Sequence, residues 1–467
     1  MIFPAIIIFL TIRLQITEFH ILLALNQIRY NMSQFCLKFI TLFLLSISIN
    51  SFAQQQNDSV KIIKAGRLID VERGKILTNQ LILIDHDTIK SIGTNITIPT
   101  GATIIDLSNA TVLPGLIDCH THLTFEPGEN YYEDIFRRTP VDLAIVAPRY
   151  AKRTLEAGFT TCRDVGASAF IDVSLRNAIN RGDIPGPRML VATLFIGSTG
   201  SHGDLNGFSP YLDWIGPKQM SGVANGIEGV RAQVRYNIKY GAEVIKFGAS
   251  AGVLTEETSV GAPQFSQEEM NAIVEEAHLW GLKACAHAHG TIAIKMAVKA
   301  GVASIEHGSF LDDEAISMMK AHGTYLVADI YNDDYILSDY AKHGTPEKII
   351  NKEKLVGKEQ RLSFQRAVKA GVKIAFGTDA GVYPHGWNGK QFKYMVKFGL
   401  TPMQAIQAAT INAADLLGWK NKVGSLSTGK YADLIALKDD PLTDITLLEQ
   451  IPFVMKGGII YKNELKK

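Results

Sequence analysis

Side chains that can bind a metal ion lie at the ends of several short, strand-like runs in this sequence. His120 and His122 close a run that begins at Gly115. Alternate residues of a strand share one face, so the two imidazoles point the same way. Two imidazoles side by side can hold one divalent ion. Taken alone, however, the His-x-His pair indicates a metal site only weakly.

Four more such side chains close later runs of the same kind, namely Lys246, His287, His307 and Asp379. A lysine within an apolar strand costs free energy unless it is ion-paired, reaches the surface or is chemically altered. Each histidine taken singly is explained as well by a structural role. Together, four histidines, a lysine and an aspartate at the carboxyl ends of predicted strands strongly indicate a metal centre.

Eight short apolar segments within residues 113–411 are predicted to be the strands that carry these residues. Helical segments such as 141–157 and 266–280 separate them, and Ser266 with Glu269 predicts a capping box. The alternation predicts parallel βα units in an α/β fold. Polar residues at the strand ends favour a closed (β/α)8 TIM barrel over a doubly wound open sheet. The candidate strands are 116–121, 160–165, 189–195, 243–248, 283–287, 302–306, 324–329 and 373–377.

Both ends of the chain differ from the middle. Residues 59–112 and 412–467 contain short runs with a period of two, separated by turn residues, which is typical of strands. They predict one small discontinuous β-sandwich domain formed by both ends, beside the barrel domain at 113–411. A length of 467 residues suits one large and one smaller domain.

The first 53 residues resemble a targeting segment rather than part of the fold. From Met32, a short basic region precedes the apolar run 39–49, which predicts a secretory signal cleaved after Ala53. A membrane-spanning helix needs about 20 apolar residues, so no permanent anchor is expected. The predicted protein is exported, either periplasmic or secreted. Residues 1–31 are interpreted as over-extended translation, with a genuine second hydrophobic segment as the alternative.

Charge and cysteine content narrow the classes of function. The chain has 47 basic and 46 acidic residues, so no nucleic-acid partner is expected. None of its four cysteines lies in a Cys-x-x-Cys pair, which argues against a zinc ribbon or a thioredoxin-like site. Cys119, Cys162 and Cys285 remain after removal of the signal, and we expect them to be buried small apolar residues rather than disulfides.

Residues 60–465 resemble the amidohydrolase superfamily, and within it the branch of Xaa-Pro dipeptidase-like and imidazolonepropionase-like proteins. The motifs that carry the resemblance are LPGLIDCHTHL at 113–123, AGFTTCRDVG at 157–166, GAEVIKFGASAGV at 241–253, AHAHG at 286–290, SIEHGS at 304–309, GTDAG at 377–381 and GSLSTGKYADLIAL at 424–437.

The resemblance implies a centre of two divalent metal ions, with zinc expected. His120, His122 and Asp379 would hold one ion, and His287 and His307 the other. Lys246 would bridge both ions as a carbamate formed from its amine and CO₂. This modification would explain a lysine in an apolar strand, although a glutamate could bridge the ions without modification.

The resemblance also implies how the site works. A bridging water activated by the metals would attack the amide carbonyl. Asp379 would take the proton of that water and deliver it to the leaving amine. His202 would stabilise the oxyanion. The family usually has Gly-Gly-His-Gly-Asp around this histidine, whereas Ser201 replaces the second glycine here. The histidine itself is intact, so the resemblance still assigns it this role.

Three further residues are candidate substrate contacts, each with a structural alternative. His289 shares a strand face with His287 and is either a substrate contact or a polar residue at the barrel mouth. Arg163 faces a substrate carboxylate or, as the favoured alternative, pairs with a buried acid. Tyr331 shapes specificity or belongs to the start of the next helix. The charged run 342–358 is predicted to be a solvated helix.

These features predict a metal-dependent amide hydrolase, an exported dipeptidase acting on Xaa-Pro or related dipeptides or a hydrolase of N-acyl amino acids. The alternative is a cyclic amide hydrolase of the imidazolonepropionase or hydantoinase type. Lys246 argues against the imidazolonepropionase label, because those enzymes generally lack the lysine. A remote alternative is a non-catalytic binding protein. The expected partner is a dipeptide or another small molecule, and a homo-oligomer is left open.

Overall fold

The computed structural model describes residues 60–126, 137–204, 218–255 and 259–465, with Gln27, Asp134 and Asn206 as isolated residues. The predicted signal at 1–53 lies outside the described residues, except for Gln27. Lys61–Pro99 and Ile104–Lys467 form one compact unit. Among the helices of the described residues, none is long and apolar enough to cross a membrane.

Strands from both ends of the chain form one seven-stranded sheet with the order β14-β13-β12-β4-β1-β2-β3. β4 and β12 run antiparallel, and Leu434 lies opposite Pro114. Both ends were predicted to be rich in strands, and these strands share one sheet. Its arrangement as a sandwich and the domain boundaries stay predictions. The strands are β1 (Val60–Asp70), β2 (Lys75–Asp85), β3 (Thr88–Gly93), β4 (Thr103–Pro114), β12 (Leu434–Leu437), β13 (Phe453–Lys456) and β14 (Ile459–Asn463).

Among the described residues, seven parallel strands lie between those two groups. They form a three-stranded sheet of order β5-β6-β7 and a four-stranded sheet of order β11-β10-β9-β8. Isolated parallel bridges join Ile196 to Phe247, Leu326 to Ile374 and Thr121 to Ala380, so backbone pairing passes between the two sheets on both sides. The strands are β5 (Leu116–Thr121), β6 (Phe159–Asp164), β7 (Arg188–Val191), β8 (Ile245–Gly248), β9 (Ala284–Ala288), β10 (Ser304–His307) and β11 (Tyr325–Val327).

The eighth predicted strand, 373–377, is not a regular strand. The N–H of Ala375 donates to the carbonyl of Leu326, and the carbonyl of Phe376 accepts from Cys119. The N–H of Phe376, however, donates to the carbonyl of Ala408 at the end of a helix. A ladder requires successive bonds to neighbouring strands, and this diverted donor interrupts it. The segment therefore contacts its neighbours through single hydrogen bonds and one isolated bridge, at Ile374.

Helices alternate with these strands, as predicted. Ser266 caps the helix that follows it, and the predicted capping box with Glu269 is present. The helices are α1 (Pro140–Glu156), α2 (Ile171–Arg181), α3 (Gly226–Lys239), α4 (Gln267–Leu279), α5 (Thr291–Ala300), α6 (Asp313–His322), α7 (Asn332–Asp339), α8 (Glu347–Ala370), α9 (Gln391–Lys397), α10 (Pro402–Ala408) and α11 (Ile411–Leu417).

Helix α8 corrects one prediction. The charged run 342–358 was interpreted as a solvated helix, but Ile349, Glu353, Val356 and Gln360 are all buried. These residues recur every three or four positions, so they form one face of the helix. The charged residues that dominate the run lie on the other face of the helix. They made its buried face difficult to recognise from the sequence.

One hydrophobic core spans the parallel strands and the seven-stranded sheet. Leu155 and Phe159 from the start of the α/β region belong to the same cluster of buried residues as Ile435 and Val454 from the C-terminal strands. The cysteines at 119, 162 and 285 are free and buried, which confirms their interpretation as small core residues. Burial raises the pKa of the Cys285 thiol to about 11.

Candidate metal centre and active site

The six predicted metal ligands meet at one cavity of about 380 Å³. They reach it from the carboxyl ends of different strands, which is where barrel enzymes place their active sites. His202 and His289 line the same cavity. The residues brought together are therefore His120, His122, His202, Lys246, His287, His289, His307 and Asp379.

A first group of donor atoms consists of His120, His122 and Asp379, which lie close enough to share one ion. Oδ1 of Asp379 is 3.3 Å from Nε2 of His120 and 3.2 Å from Nε2 of His122. Nδ1 of His122 is bonded to the carbonyl of Gly166 at 2.9 Å. A histidine whose other nitrogen is held by the protein is oriented as a ligand. This group contains the three residues that the resemblance assigns to the first ion.

A second group consists of His287, His289 and His307. Nδ1 of His307 lies 2.8 Å from Oδ1 of Asp329, and Nδ1 of His289 lies 2.7 Å from Oγ of Ser309. Nε2 of His287 is buried and has no hydrogen-bond partner among the described residues. Burial, reinforced by neighbouring histidines, holds the pKa of His287 well below its usual value. The ring is therefore neutral, which is the form that binds metal.

These observations fit a metal centre. An orphaned buried nitrogen costs free energy that a bound cation would recover. Imidazole and carboxylate ligands of this kind suit zinc and related divalent ions. The second group also places His289, which was predicted to contact substrate, within ligand distance of His287 and His307.

Lys246 is 1% exposed and lines the same cavity. Its Nζ is 3.4 Å from Nε2 of His120. Among the described residues, no carboxylate forms an ion pair with it. The structure thus excludes a lysine that reaches the surface, and among the described residues it shows no ion pair for this one.

His202 faces the second group of donors. Its ring stacks on His287 with the centroids 4.2 Å apart. Nδ1 of His202 is 2.8 Å from Oγ1 of Thr255, and its backbone N–H donates to Oε1 of Gln264. A Cβ at Gly252 would lie 2.3 Å from the ring, so only glycine leaves room for His202 in this position. The substitution by Ser201 therefore does not prevent the loop from bringing His202 to the site.

Arg163 and Tyr331 take structural positions instead of the predicted substrate-contacting ones. Arg163 is buried, donates to Oε1 of Glu306 at 2.7 Å and to Oγ of Ser304 at 3.1 Å. Tyr331 packs against the rings of Tyr383 and Tyr394. Neither residue is among the described residues that line the cavity. For Arg163, the favoured alternative, an ion pair with a buried acid, is the one that the structure shows.

The ion pair of Arg163 and Glu306 supports the first group of ligands. Oε2 of Glu306 lies 3.0 Å from Nδ1 of His120. Burial raises the pKa of Glu306, but the charge of Arg163, together with His120 and Lys246, outweighs burial and holds this pKa below its usual range. An ionised carboxylate behind a metal-binding histidine fixes the orientation of its ring. The sequence did not single out Glu306, although it directly precedes His307.

Three residues that sequence reasoning missed line the cavity: Asp329 lies just beyond β11, and Glu353 and Gln360 belong to helix α8. Asp329 holds His307, and the Nε2 group of Gln360 donates to Asp329 at 2.7 Å. Glu353 lines the cavity two turns before Gln360. Asp329 could have been found from its place directly after a strand. The residues of α8 could be found only from the spacing of its apolar positions.

Two of the ligands have strained backbone conformations. His307 has a φ of 70° and Asp379 a φ of 56°. Residues other than glycine rarely adopt this left-handed region, and such strain costs about 1–3 kcal/mol. It is typical of functional sites, where the surrounding structure holds a residue against its preference.

Comparisons with known proteins identify the family of this chain. The model of the amidohydrolase family matches residues 111–461. The ochratoxinase of Aspergillus niger is 33% identical over 433 residues, which cover 88% of each chain. The crystal structure of a Xaa-Pro dipeptidase with bound methionine in the active site has a TM-score of 0.82 and 41% identity, and the match covers 87% of this chain and 100% of that one.

A prolidase structure in complex with N-methylphosphonate-L-proline has a TM-score of 0.80 and 31% identity, with the same coverage of 87% and 100%. The family match spans well over half of the chain and includes every ligand described above. It confirms the resemblance that the sequence motifs indicated. The chain belongs to the amidohydrolase family.

Proposed function

We propose that this protein is a metal-dependent hydrolase that cleaves the amide bond of dipeptides or N-acyl amino acids. The observation that carries this proposal is the convergence of two groups of donor atoms on one cavity, with the buried Lys246 between them. The similarity to a Xaa-Pro dipeptidase, a prolidase and an ochratoxinase supports amide substrates. We also infer that the linked parallel strands are the predicted (β/α)8 barrel.

The residues present would hold two divalent ions, with zinc as the favoured metal. His120, His122 and Asp379 would bind one ion, and His287 and His307 the other. Lys246 would join the two groups as a carbamate, since its amine is buried without a carboxylate partner. When bound, the ions would lower the pKa of a water molecule and polarise the scissile carbonyl.

The protein's own groups would move the protons. Asp379 lies between the two imidazoles of its group, with Oδ2 3.4 Å from Nδ2 of Asn332. Its carboxylate would accept the proton of the attacking water and deliver it to the leaving amine. If Thr255 donates to Nδ1 of His202, the ring carries its proton on Nε2. That N–H would then donate to the oxyanion of the tetrahedral intermediate.

Export to the periplasm or outside the cell is part of the same proposal. It is supported by the apolar run 39–49 and the predicted cleavage after Ala53. Expression of the full chain, followed by sequencing of the N-terminus of the mature protein, tests it. A mature chain that begins before residue 50 would contradict the proposal.

Removal of metal tests the proposed reaction. We expect a chelator to abolish hydrolysis of Xaa-Pro, Xaa-Arg and Xaa-Phe dipeptides and of N-acyl amino acids, and zinc to restore it. Metal analysis by mass spectrometry should then find about two ions per chain. Full activity of metal-free protein, or activity confined to hydantoins and other cyclic amides, would overturn the proposal.

Replacement of Lys246 tests the bridge separately. We expect Lys246→Ala to lose at least about a hundredfold in kcat, as expected when a supporting metal ligand is lost. Short carboxylic acids such as acetate or propionate should restore part of the activity, because they can occupy the vacated position. The control is Lys239→Ala, which changes a lysine near the end of α3 outside the cavity. Activity of Lys246→Ala equal to that of the control would contradict the bridging role.

A further inference from the structure

Glu353 is an acidic side chain in the cavity that the proposed chemistry does not use. It lies on helix α8, is 4% exposed and lines the cavity together with the metal ligands. The other carboxylates of the cavity already have partners. Asp379 lies between His120 and His122, and Asp329 is bonded to His307.

No cation of the described part of the chain pairs with Glu353. The nearby Arg361 is already bound, with one nitrogen 2.8 Å from Oδ2 of Asp333 and another 2.7 Å from Oδ1 of Asp334. On the helix face of Glu353, Ile349 and Val356 pack into an apolar cluster with Val253. A buried carboxyl group among apolar side chains costs free energy unless a ligand or a proton compensates it.

The charged groups around Glu353 also favour a cationic ligand. Burial, followed by the negative charges of Asp333 and Asp329, raises the pKa of Glu353 to about 8. Asp379 raises it further, and Arg361 opposes the shift. Acidic side chains thus act on Glu353, and a cationic ligand at this side chain would relieve their repulsion.

Helix α8 sets the place of Glu353 relative to the metal ligands. Gln360 donates to Asp329 and so fixes the helix to the ligand His307. Glu353 lies seven residues earlier, which is about 10 Å along the helix axis. The side chain also leans towards the N-terminus of its helix and away from Gln360. Glu353 is therefore placed to contact a part of the substrate outside the scissile amide.

We propose that Glu353 binds a protonated amine of the substrate and so selects amides that carry a positive charge. The amine is either the free α-amino group or the side-chain amine of a basic residue. This inference rests on the proposed function only in taking the cavity as the place where substrate binds. It extends that function from a reaction class to a charge preference.

Four probes that differ only in their amines distinguish binding of an α-amino group from binding of a side-chain amine. They are L-lysine, L-norleucine, 6-aminohexanoic acid and hexanoic acid, titrated into the zinc-loaded full chain by calorimetry. The last probe has no amine, and each of the others retains one or both. We expect at least one amine to strengthen binding about tenfold, as is usual for a charge-assisted hydrogen bond.

Glu353→Gln should abolish the difference in affinity between probes with and without an amine. The amide has nearly the shape of the protonated acid but cannot become negative. Glu347→Gln, at the exposed start of the same helix, is the matched control and should keep it. Glu353→Asp retains the charge and should give an intermediate ratio, which also covers a failure of Glu353→Gln to fold.

The outcomes separate this inference from the proposed function. Equal affinity of all four probes for the wild type, or an unchanged ratio in Glu353→Gln, would overturn the role of Glu353. Charge-selective binding that depends on Glu353 without hydrolysis of any dipeptide would support that role and refute the proposed reaction.

Discussion

The buried pair of Arg163 and Glu306 shows how a single residue can support the site without touching substrate. Arg163 is 2% exposed and Glu306 is fully buried. The guanidinium also donates to the carbonyl of Cys119, the residue before His120. Arg163 thus holds the backbone just before the candidate ligand His120, and Glu306 lies beside the ring of that histidine.

We expect Arg163→Met to lower the free energy of unfolding by about 3–5 kcal/mol, because it leaves Glu306 as an unpaired buried charge. Urea denaturation of the zinc-loaded protein measures this loss. Arg181→Met is the control, because Arg181 pairs with Asp183 at the exposed surface, where such pairs contribute about 0–1 kcal/mol. If both variants lost the same amount, the supporting role of Arg163 would be wrong.

At the scale of elements, helices α7 and α8 approach closely at Gly357. A Cβ at this position would lie 2.1 Å from Oδ1 of Asp333 on α7. Helix α8 also bonds to Asp329 through Gln360 and places Glu353 in the lining of the cavity. The distance between the two helices therefore determines how the outer part of the cavity is built.

Gly357→Ala tests this close approach. We expect a loss of about 1–3 kcal/mol in the free energy of unfolding, since the added methyl group forces the helices apart. Gly229→Ala in α3 is the control, because nothing lies within 4 Å of its Cβ position and alanine favours a helix. The prediction fails if Gly357→Ala is as stable as Gly229→Ala in thermal unfolding.

The elements also show what sequence reasoning could and could not reach. Seven of the eight candidate strands and the capping box at Ser266 are present because both depend on local patterns. The eighth strand is interrupted by a bond from Phe376 to Ala408, which is a contact between distant residues. No local pattern contains such a contact.

The site residues also differ in whether a local pattern or a contact between distant residues determines their role. The candidate ligands were predictable because each lies in or just beyond a predicted strand, and the carboxyl ends of parallel strands meet at one edge. Arg163 also lies in a strand, yet its partner Glu306 is 143 residues away, so its role depended on the fold. Glu353 was hidden by the charged residues around it, which made its helix look solvated.

At the scale of the whole molecule, the common core links the seven-stranded sheet to the parallel strands. Ile451 shows the link directly, since a Cβ at Gly158 before β6 would lie 2.3 Å from its Cδ1. Ile451 is 1% exposed and belongs to the same cluster as Phe159 and Leu155. The C-terminal strands thus complete the packing of a region that begins more than 290 residues earlier.

We therefore expect Ile451→Ala to destabilise both regions together, by about 2–5 kcal/mol. Hydrogen exchange of the slowest amides should accelerate by the same factor in β12 as in β8 to β10. Ile459→Ala is the control, because that side chain is 59% exposed and its loss should change little. Faster exchange confined to the seven-stranded sheet would mean that the two regions unfold independently.

The left-handed backbone at His307 and Asp379 bears on how this protein evolves. Glycine or asparagine would suit both positions better, so stability alone favours replacement of the residues found there. Only selection for the reaction opposes that drift. A descendant that kept the fold but no longer catalysed the reaction would be expected to change first at these two positions. The residues found there would then indicate, from a single sequence, whether the protein is still an active enzyme.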